Sequence, residues 1–370
     1  TKLAHFGEMI YIVYLILLLI LLKLERRKAS TNNVFRYIIP AVYIFLVGLR
    51  GANVGVDTPV YYDHYYTFGE WGCSFVEIGF DWLNRFIYHL GYSHAPFFCI
   101  CATLTVVPVV VAVNDKLSRQ EYSIFMLLFC TTTFVSMCNG MRQNMACGIL
   151  FFTLVWYENT SAKLSNRVII YMLGILIASL FHVSVIFIAP IIFLKYLHLS
   201  NKQYVSIYIL SFMFLFVKVS SFIPEIQISN RDYSGYVDTN FANQSASSLG
   251  FFISTLKNIL FLTILVKSRL FEKYALWSNL TFLTLVFLNV GYSVPLIGRI
   301  NMYFVFFSTV MLAIVFANRN EYKNTNNIIM QLLILIVLVM SVYGYVSTAN
   351  KLLPYNFYWE TPDYSKYLKF

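Results

Sequence analysis

Apolar residues run in long blocks along the whole chain, broken by short polar stretches. A helix needs about 20 mostly apolar residues to cross the hydrocarbon layer of a membrane. Runs of this character lie at 9–22, 37–50, 95–113, 121–138, 141–157, 168–181, 183–195, 204–222, 250–266, 275–294, 298–316 and 328–346. The pattern predicts an all-α polytopic membrane protein with about 12 transmembrane helices. Two runs are short, and 168–181 and 183–195 read as a broken pair meeting at His182. The run from Met9 has no basic stretch before it and no small-residue cleavage site after it, so it reads as a retained span. The chain, 1–370, reads as one transmembrane domain with three longer outside segments, 51–94, 223–249 and 347–370.

The first outside segment carries its own helical signals. Thr58 followed by Pro59 reads as a hydroxyl N-cap with proline at the first helical position. Asp57 sits beside that N-terminus, where a carboxylate is electrostatically favoured. The helix would run through Tyr61, Tyr62, Asp63, His64, Tyr65 and Tyr66. A second helix is predicted over 77–90. Its Ile78, Trp82, Leu83, Phe86, Ile87 and Leu90 recur at helical spacing, which suits an amphipathic helix lying in the membrane interface.

Composition supports the membrane reading. Of 370 residues, 59% are hydrophobic and only 12% charged, with mean hydropathy +0.67. A soluble domain carries roughly 25% charged residues. Charge then sets orientation. Alternate loops hold Lys23, Arg26, Arg27, Lys28 and Arg36; Lys116 and Arg119; Lys163 and Arg167; Lys195 and Lys202; Lys267, Arg269 and Lys273; Arg319 and Lys323. With their few acids these loops carry the whole net charge of +10. They are the cytoplasmic side, and both termini lie outside. The charge is therefore a topology signal and not a nucleic-acid footprint. The six cysteines form no C-x-x-C pair and read as small packing residues.

Candidate chemistry gathers on the non-cytoplasmic side. Ionisable groups at the ends of apolar runs are costly unless paired or wetted, and are functional candidates for that reason. Arg50 ends the second run, Arg142 lies in Asn139-Gly-Met-Arg-Gln143-Asn, and Arg299 follows Gly298. Each could be an interfacial anchor; together they could bind phosphate through their planar, forked donors. His182 interrupts an apolar stretch and reads as a general base, a phosphate ligand or a helix-packing residue. Asp57, Glu77 and Asp81 are the nearest carboxylates. Arg231 and Tyr233, in Arg231-Asp-Tyr-Ser-Gly-Tyr236, suit a sugar: flat ring faces for C–H groups and polar ends for hydroxyls. No Gly-rich phosphate loop, H-E-x-x-H, G-x-S-x-G or D-x-D is present.

At these residues the chain resembles the EpsG family, a branch of the Wzy-type polysaccharide polymerases. The resemblance is clearest at Leu49-Arg-Gly-Ala-Asn-Val-Gly-Val-Asp-Thr-Pro-Val-Tyr-Tyr62. It continues in Glu77-Ile-Gly-Phe-Asp-Trp-Leu-Asn84, Asn139-Gly-Met-Arg-Gln143, Phe181-His-Val-Ser184 and Leu353-Pro-Tyr355. It implies a glycosyltransferase-C-like fold in the bacterial cytoplasmic membrane, with neither metal nor cofactor. It further implies that a glycan on polyprenyl diphosphate is transferred to a lipid-linked repeat unit outside that membrane, releasing polyprenyl diphosphate. Arg50, Arg142, Gln143, Arg231, Tyr233 and Arg299 would bind substrate, and the base would be Asp57 or His182, with Glu77 behind them. Membrane lipids, a chain-length regulator and a flippase are the implied partners. A lipid-linked oligosaccharide flippase is the alternative, and would carry charges midway through its spans; Lys218 and Lys257 are the residues to weigh for it.

Overall fold

The computed structural model describes residues 2–27, 34–215, 248–267, 270–293, 295–318, single positions within 332–340, and 355–360. Most of these residues are helical, and among them there is one isolated antiparallel bridge, Arg50 to Phe357. His94–Asn114 and Ile297–Ala317 are long and apolar enough to cross a membrane by length and composition. Phe35–Gly48, Leu164–Ser179, Val183–Tyr196 and Ala275–Gly291 are shorter apolar helices. The chain forms two compact units, one of residues 1–187 with 341–370, the other of 188–340.

The first unit holds α1 (Lys2–Arg27), α2 (Phe35–Gly48), α3 (Thr58–Phe68), α4 (Ile78–His89), α5 (His94–Asn114), α6 (Arg119–Thr132), α7 (Phe134–Asn139), α8 (Met141–Asn159) and α9 (Leu164–Ser179). A 3₁₀ stretch, Val183–Tyr196, follows. Helix α5 packs between α2 and α8, and α9 packs on α8. Small residues permit these approaches. A Cβ on Gly48 would lie 2.6 Å from the Cys99 backbone, and one on Gly148 would lie 2.5 Å from the Thr105 carbonyl oxygen. At the end of the bundle where α2 begins, Glu25 is fully buried. Its carboxylate accepts from Arg36 Nε at 3.0 Å and from Ser123 Oγ at 2.7 Å. Arg36 also donates to the Asn114 carbonyl at 2.6 Å and lies over the Tyr122 ring. These contacts tie α1, α2, α5 and α6 together.

Two local expectations are corrected. The apolar run 121–138 is not one helix but α6 and α7, broken at Thr133. Thr131, Thr132 and Thr133 all return their hydroxyls to carbonyls one turn back. Such bonds compete with the helical ladder and bend it. Secondly, Asp57, not Thr58, is the N-cap of α3, and it makes no side-chain cap bond. The Thr58 hydroxyl is spent instead on Val54 and Cys138 carbonyls, at 2.6 and 3.1 Å. Helix Ile78–His89 over the predicted second segment, the short pieces on either side of His182 and a helix over the first apolar run are observed.

In the second unit, buried asparagines bind helix to helix. Asn279 accepts from Tyr204 Oη and donates to the Leu194 and Leu197 carbonyls. Asn289 donates to Ser211 Oγ at 2.7 Å. The expected loop 223–249 lies outside the described residues but for its last positions, and so does most of the run 328–346.

Candidate active site

The site grows from the segment between α2 and α5. Gly55, at φ 104°, turns the chain where a side chain would be strained, and a Cβ there would also stand 2.8 Å from Asn139 Oδ1. That oxygen accepts from the Val56 and Asp57 amides at 2.7 and 3.4 Å. The turn is thereby fastened to the end of α7. Helix α3 then buries a stripe at helical spacing, Tyr61, His64, Tyr65 and Phe68, facing Phe80, Phe97 and Met141.

Helix α4 begins against the chain reversal after α9. The Gly79 amide donates to the Leu180 carbonyl at 2.9 Å, and a Cβ on Gly79 would meet Leu180 at 2.8 Å. Only a glycine permits that approach. It sets Glu77, which precedes α4, beside His182.

Glu77 is the centre of the arrangement. One carboxylate oxygen accepts from Arg142 Nη1 at 2.5 Å. The other lies 3.3 Å from His182 Nδ1 and accepts from the Val183 amide at 3.4 Å. The His182 contact has ion-pair distance without hydrogen-bond alignment. The Glu77 side chain is 5% exposed, those of Arg142 and His182 25% and 19%. The carboxylate is thus buried while both partners keep an open edge. Arg142 also lies near the Phe80 face, and the Tyr61 hydroxyl donates to the Asn139 carbonyl at 3.4 Å. Burial raises the Tyr61 hydroxyl pKa above its ordinary value, with Arg142 opposing. Gln143 is buried next along α8.

The other expected residues fall elsewhere. Arg50 is wholly buried. It donates to the Val47 carbonyl at 2.5 Å, to Thr58 Oγ1 at 3.1 Å and to the Cys138 carbonyl at 3.5 Å, and lies over the Phe98 ring at 4.6 Å. Val47 and Cys138 end α2 and α7, where helical carbonyls lack partners and attract a cation. The donors of this arginine are thus taken up by main-chain and hydroxyl oxygens. Asp57, half-buried, is the N-cap residue of α3. Arg299 is exposed near the start of helix Pro295–Ala317 in the second unit, where Lys257 also lies, on helix Ser248–Lys267. Arg231, Tyr233 and Lys218 lie outside the described residues.

Sequence reasoning missed Tyr61 and His64. His64 is buried, its Nε2 has no hydrogen-bond partner, and its carbonyl accepts from buried Asn84. Burial first, and the Arg142 charge second, lower its pKa below the ordinary histidine value. The signal was there in the spacing of Tyr61, His64, Tyr65 and Phe68, which marks the inward face of α3.

A buried carboxylate that holds a guanidinium with one oxygen and stands 3.3 Å from an imidazole with the other can present a cation to an anionic leaving group beside a candidate base. No curated protein and no solved structure matches the chain. One family model, described as the EpsG family, matches residues 33–357.

Proposed function

Because the chain belongs to the EpsG family, whose members are Wzy-like polysaccharide polymerases, we propose that it transfers a growing glycan from polyprenyl diphosphate to a lipid-linked repeat unit. Its apolar helices and its family support an all-α membrane protein. The finer reading is a multi-pass, glycosyltransferase-C-like enzyme of the bacterial cytoplasmic membrane with its site facing outward. The observation that carries it is the Glu77 carboxylate shared between Arg142 and His182.

Each residue then has a task. A proton on His182 Nδ1 faces Glu77, which leaves Nε2 to accept the proton of the acceptor hydroxyl, as in other carboxylate-oriented imidazoles. The hydroxyl oxygen attacks the donor's anomeric carbon, and the bond to the diphosphate oxygen breaks with its electron pair. Arg142 receives the charge that develops there, which a preorganised cation does without reorganisation. The energy resides in the sugar–diphosphate bond, so the reaction needs no nucleotide. Arg50 serves as a positioning residue, holding the ends of α2 and α7 beside the Gly55 turn. Arg299 and the 231–233 segment are further proposed substrate-binding residues, with a chain-length regulator and a flippase as partners.

Purified protein incubated with lipid-linked repeat units should yield a ladder of products on a gel, and Arg142→Ala protein should not. A preparation that moves lipid-linked units across a bilayer and makes no ladder would establish the flippase in its place.

A further inference from the structure

The polymerase reading leaves the growing chain without a resting place among the residues described above. A second cluster of side chains, separate from Glu77 and its partners, supplies one. The segment 355–360 is strapped across the end of α2. Tyr355 Oη donates to the Leu46 carbonyl at 2.7 Å, the Gly51 amide to the Asn356 carbonyl at 2.7 Å, and the Tyr358 amide to the Leu49 carbonyl at 3.0 Å. The strap carries Phe357 and Trp359, stacked at 4.5 Å and 2°. Tyr358 stands edge-on to Trp359 at 5.0 Å and reaches His94 at 5.9 Å. From His94 the ring contacts pass to Tyr62 at 4.8 Å and Tyr66 at 5.9 Å, both on α3. Six rings from three distant parts of the chain thus form one connected row, joined through His94, which is buried at 3% exposure. Trp359 is 58% exposed and Tyr66 42%.

We propose that this ledge, Tyr62, Tyr66, Phe357, Tyr358 and Trp359, backed by the buried His94 ring, is a carbohydrate subsite that holds the growing glycan. The proposal rests on the polymerase reading for the identity of the ligand. Its chemistry distinguishes a sugar from a membrane headgroup. The charged residues of 58–70 and 355–360 are Asp63, Glu70 and Glu360, with no lysine or arginine among them. A surface meant for anionic headgroups carries the opposite charge. Sugar rings instead offer C–H groups to aromatic faces and hydroxyls to carboxylates. The ligand that fits is an uncharged oligosaccharide, not a phosphate-bearing one. The ledge works as a track: it retains the polymer between additions, so the same chain is extended again.

The test uses the full protein in nanodiscs and, as probe, the oligosaccharide of two repeat units released from its lipid by mild acid. Saturation-transfer NMR should show contact with the sugar C–H protons. Trp359→Ala, and separately Tyr62→Ala with Tyr66→Ala, should weaken binding about three- to tenfold, while Trp359→Phe should stay within about twofold. In turnover, Trp359→Ala should still join two repeat units but make shorter chains. Equal affinity in wild type and both alanine variants overturns the proposal, as does no binding by wild type. Equal loss in Trp359→Phe and Trp359→Ala would mean only that the strap had come away, and overturns it as well. Quenching of Trp359 by brominated acyl chains would place the ledge in lipid and overturn it too. Binding needs no reaction, so failure of the polymerase reading is seen separately, as normal or absent ladders that do not change with Arg142→Ala.

Discussion

Replacing Glu77 by glutamine keeps the shape of the side chain and removes its charge, and it tests both halves of the site together. Toward Arg142 the loss is moderate. A bond at 2.5 Å between ions becomes a bond between an ion and an amide. Hydrogen bonds to charged partners are worth about 1.5–3 kcal/mol net, and neutral ones about 0.5–1.5. The difference, about 1 kcal/mol or somewhat more, is discounted because the Arg142 side chain is 25% exposed and water replaces part of the field. Donor affinity should therefore change by no more than about tenfold. Toward His182 the effect is larger. A carboxylate only accepts, but an amide also donates. An amide turned toward Nδ1 favours the tautomer with its proton on Nε2, which cannot then take the hydroxyl proton. A carboxylate-to-amide change of this kind drops turnover about 10⁴-fold in a serine-protease triad. Here a fall of at least about a hundredfold is expected, the low end of what a positioned base contributes. The assay is single-turnover coupling of two lipid-linked units, with donor binding followed separately. A Glu77→Gln protein, present at normal levels, that keeps more than a tenth of wild-type turnover would refute the orienting role of Glu77.

Four further outcomes are expected. Arg142→Ala should weaken donor binding by about one to two decades, the worth of one charge-assisted contact, and Arg142→Lys should recover only part of it because an ammonium cannot grip two oxygens; competition with labelled donor checks both. His64 has a lowered pKa in the folded protein, so the unfolded chain binds more protons just below the ordinary histidine value of about 6.5, and stability falls as pH drops through and below it. Melting measured from pH 7 to pH 5 should lose part of that slope in His64→Gln. Glu25→Ala strands a nearly buried Arg36 and should cost about 3–5 kcal/mol, read as a large drop in melting temperature or in folded yield. Finally, a membrane-impermeant thiol reagent should label native Cys73 in intact cells and miss a cysteine placed at Ser30; the reverse pattern would invert the topology.

Much of the helical layout was legible because apolar blocks and basic loops repeat along the chain. Helix α4 was readable from one stripe of large residues, and its observed range, Ile78–His89, lies within the expected one. The break at Thr133 was hidden because three threonines in an apolar run look hydrophobic by average and act through their hydroxyls. The candidate site was legible as a set of residue types but not as a constellation. Glu77 and Arg142 are 65 positions apart, and their meeting depends on a glycine that allows α4 to touch Leu180. The surroundings of Arg50 were hidden for a different reason. Its partners are mostly main-chain carbonyls at two helix ends, and no side-chain pattern announces them.

The strap at 355–360 also constrains how the protein is made. Tyr355 bonds to the backbone of Leu46 across 309 positions. A ribosome adds about 5–20 residues per second, so residues 46–51 wait roughly 15–60 s for the segment that covers them. During that interval the Arg50 backbone lacks its bridge to Phe357, and any chain released early lacks it permanently. A chain cut short before Tyr355 would carry every helix of the Glu77 site and still leave the Leu46 carbonyl and the Arg50 backbone without these partners.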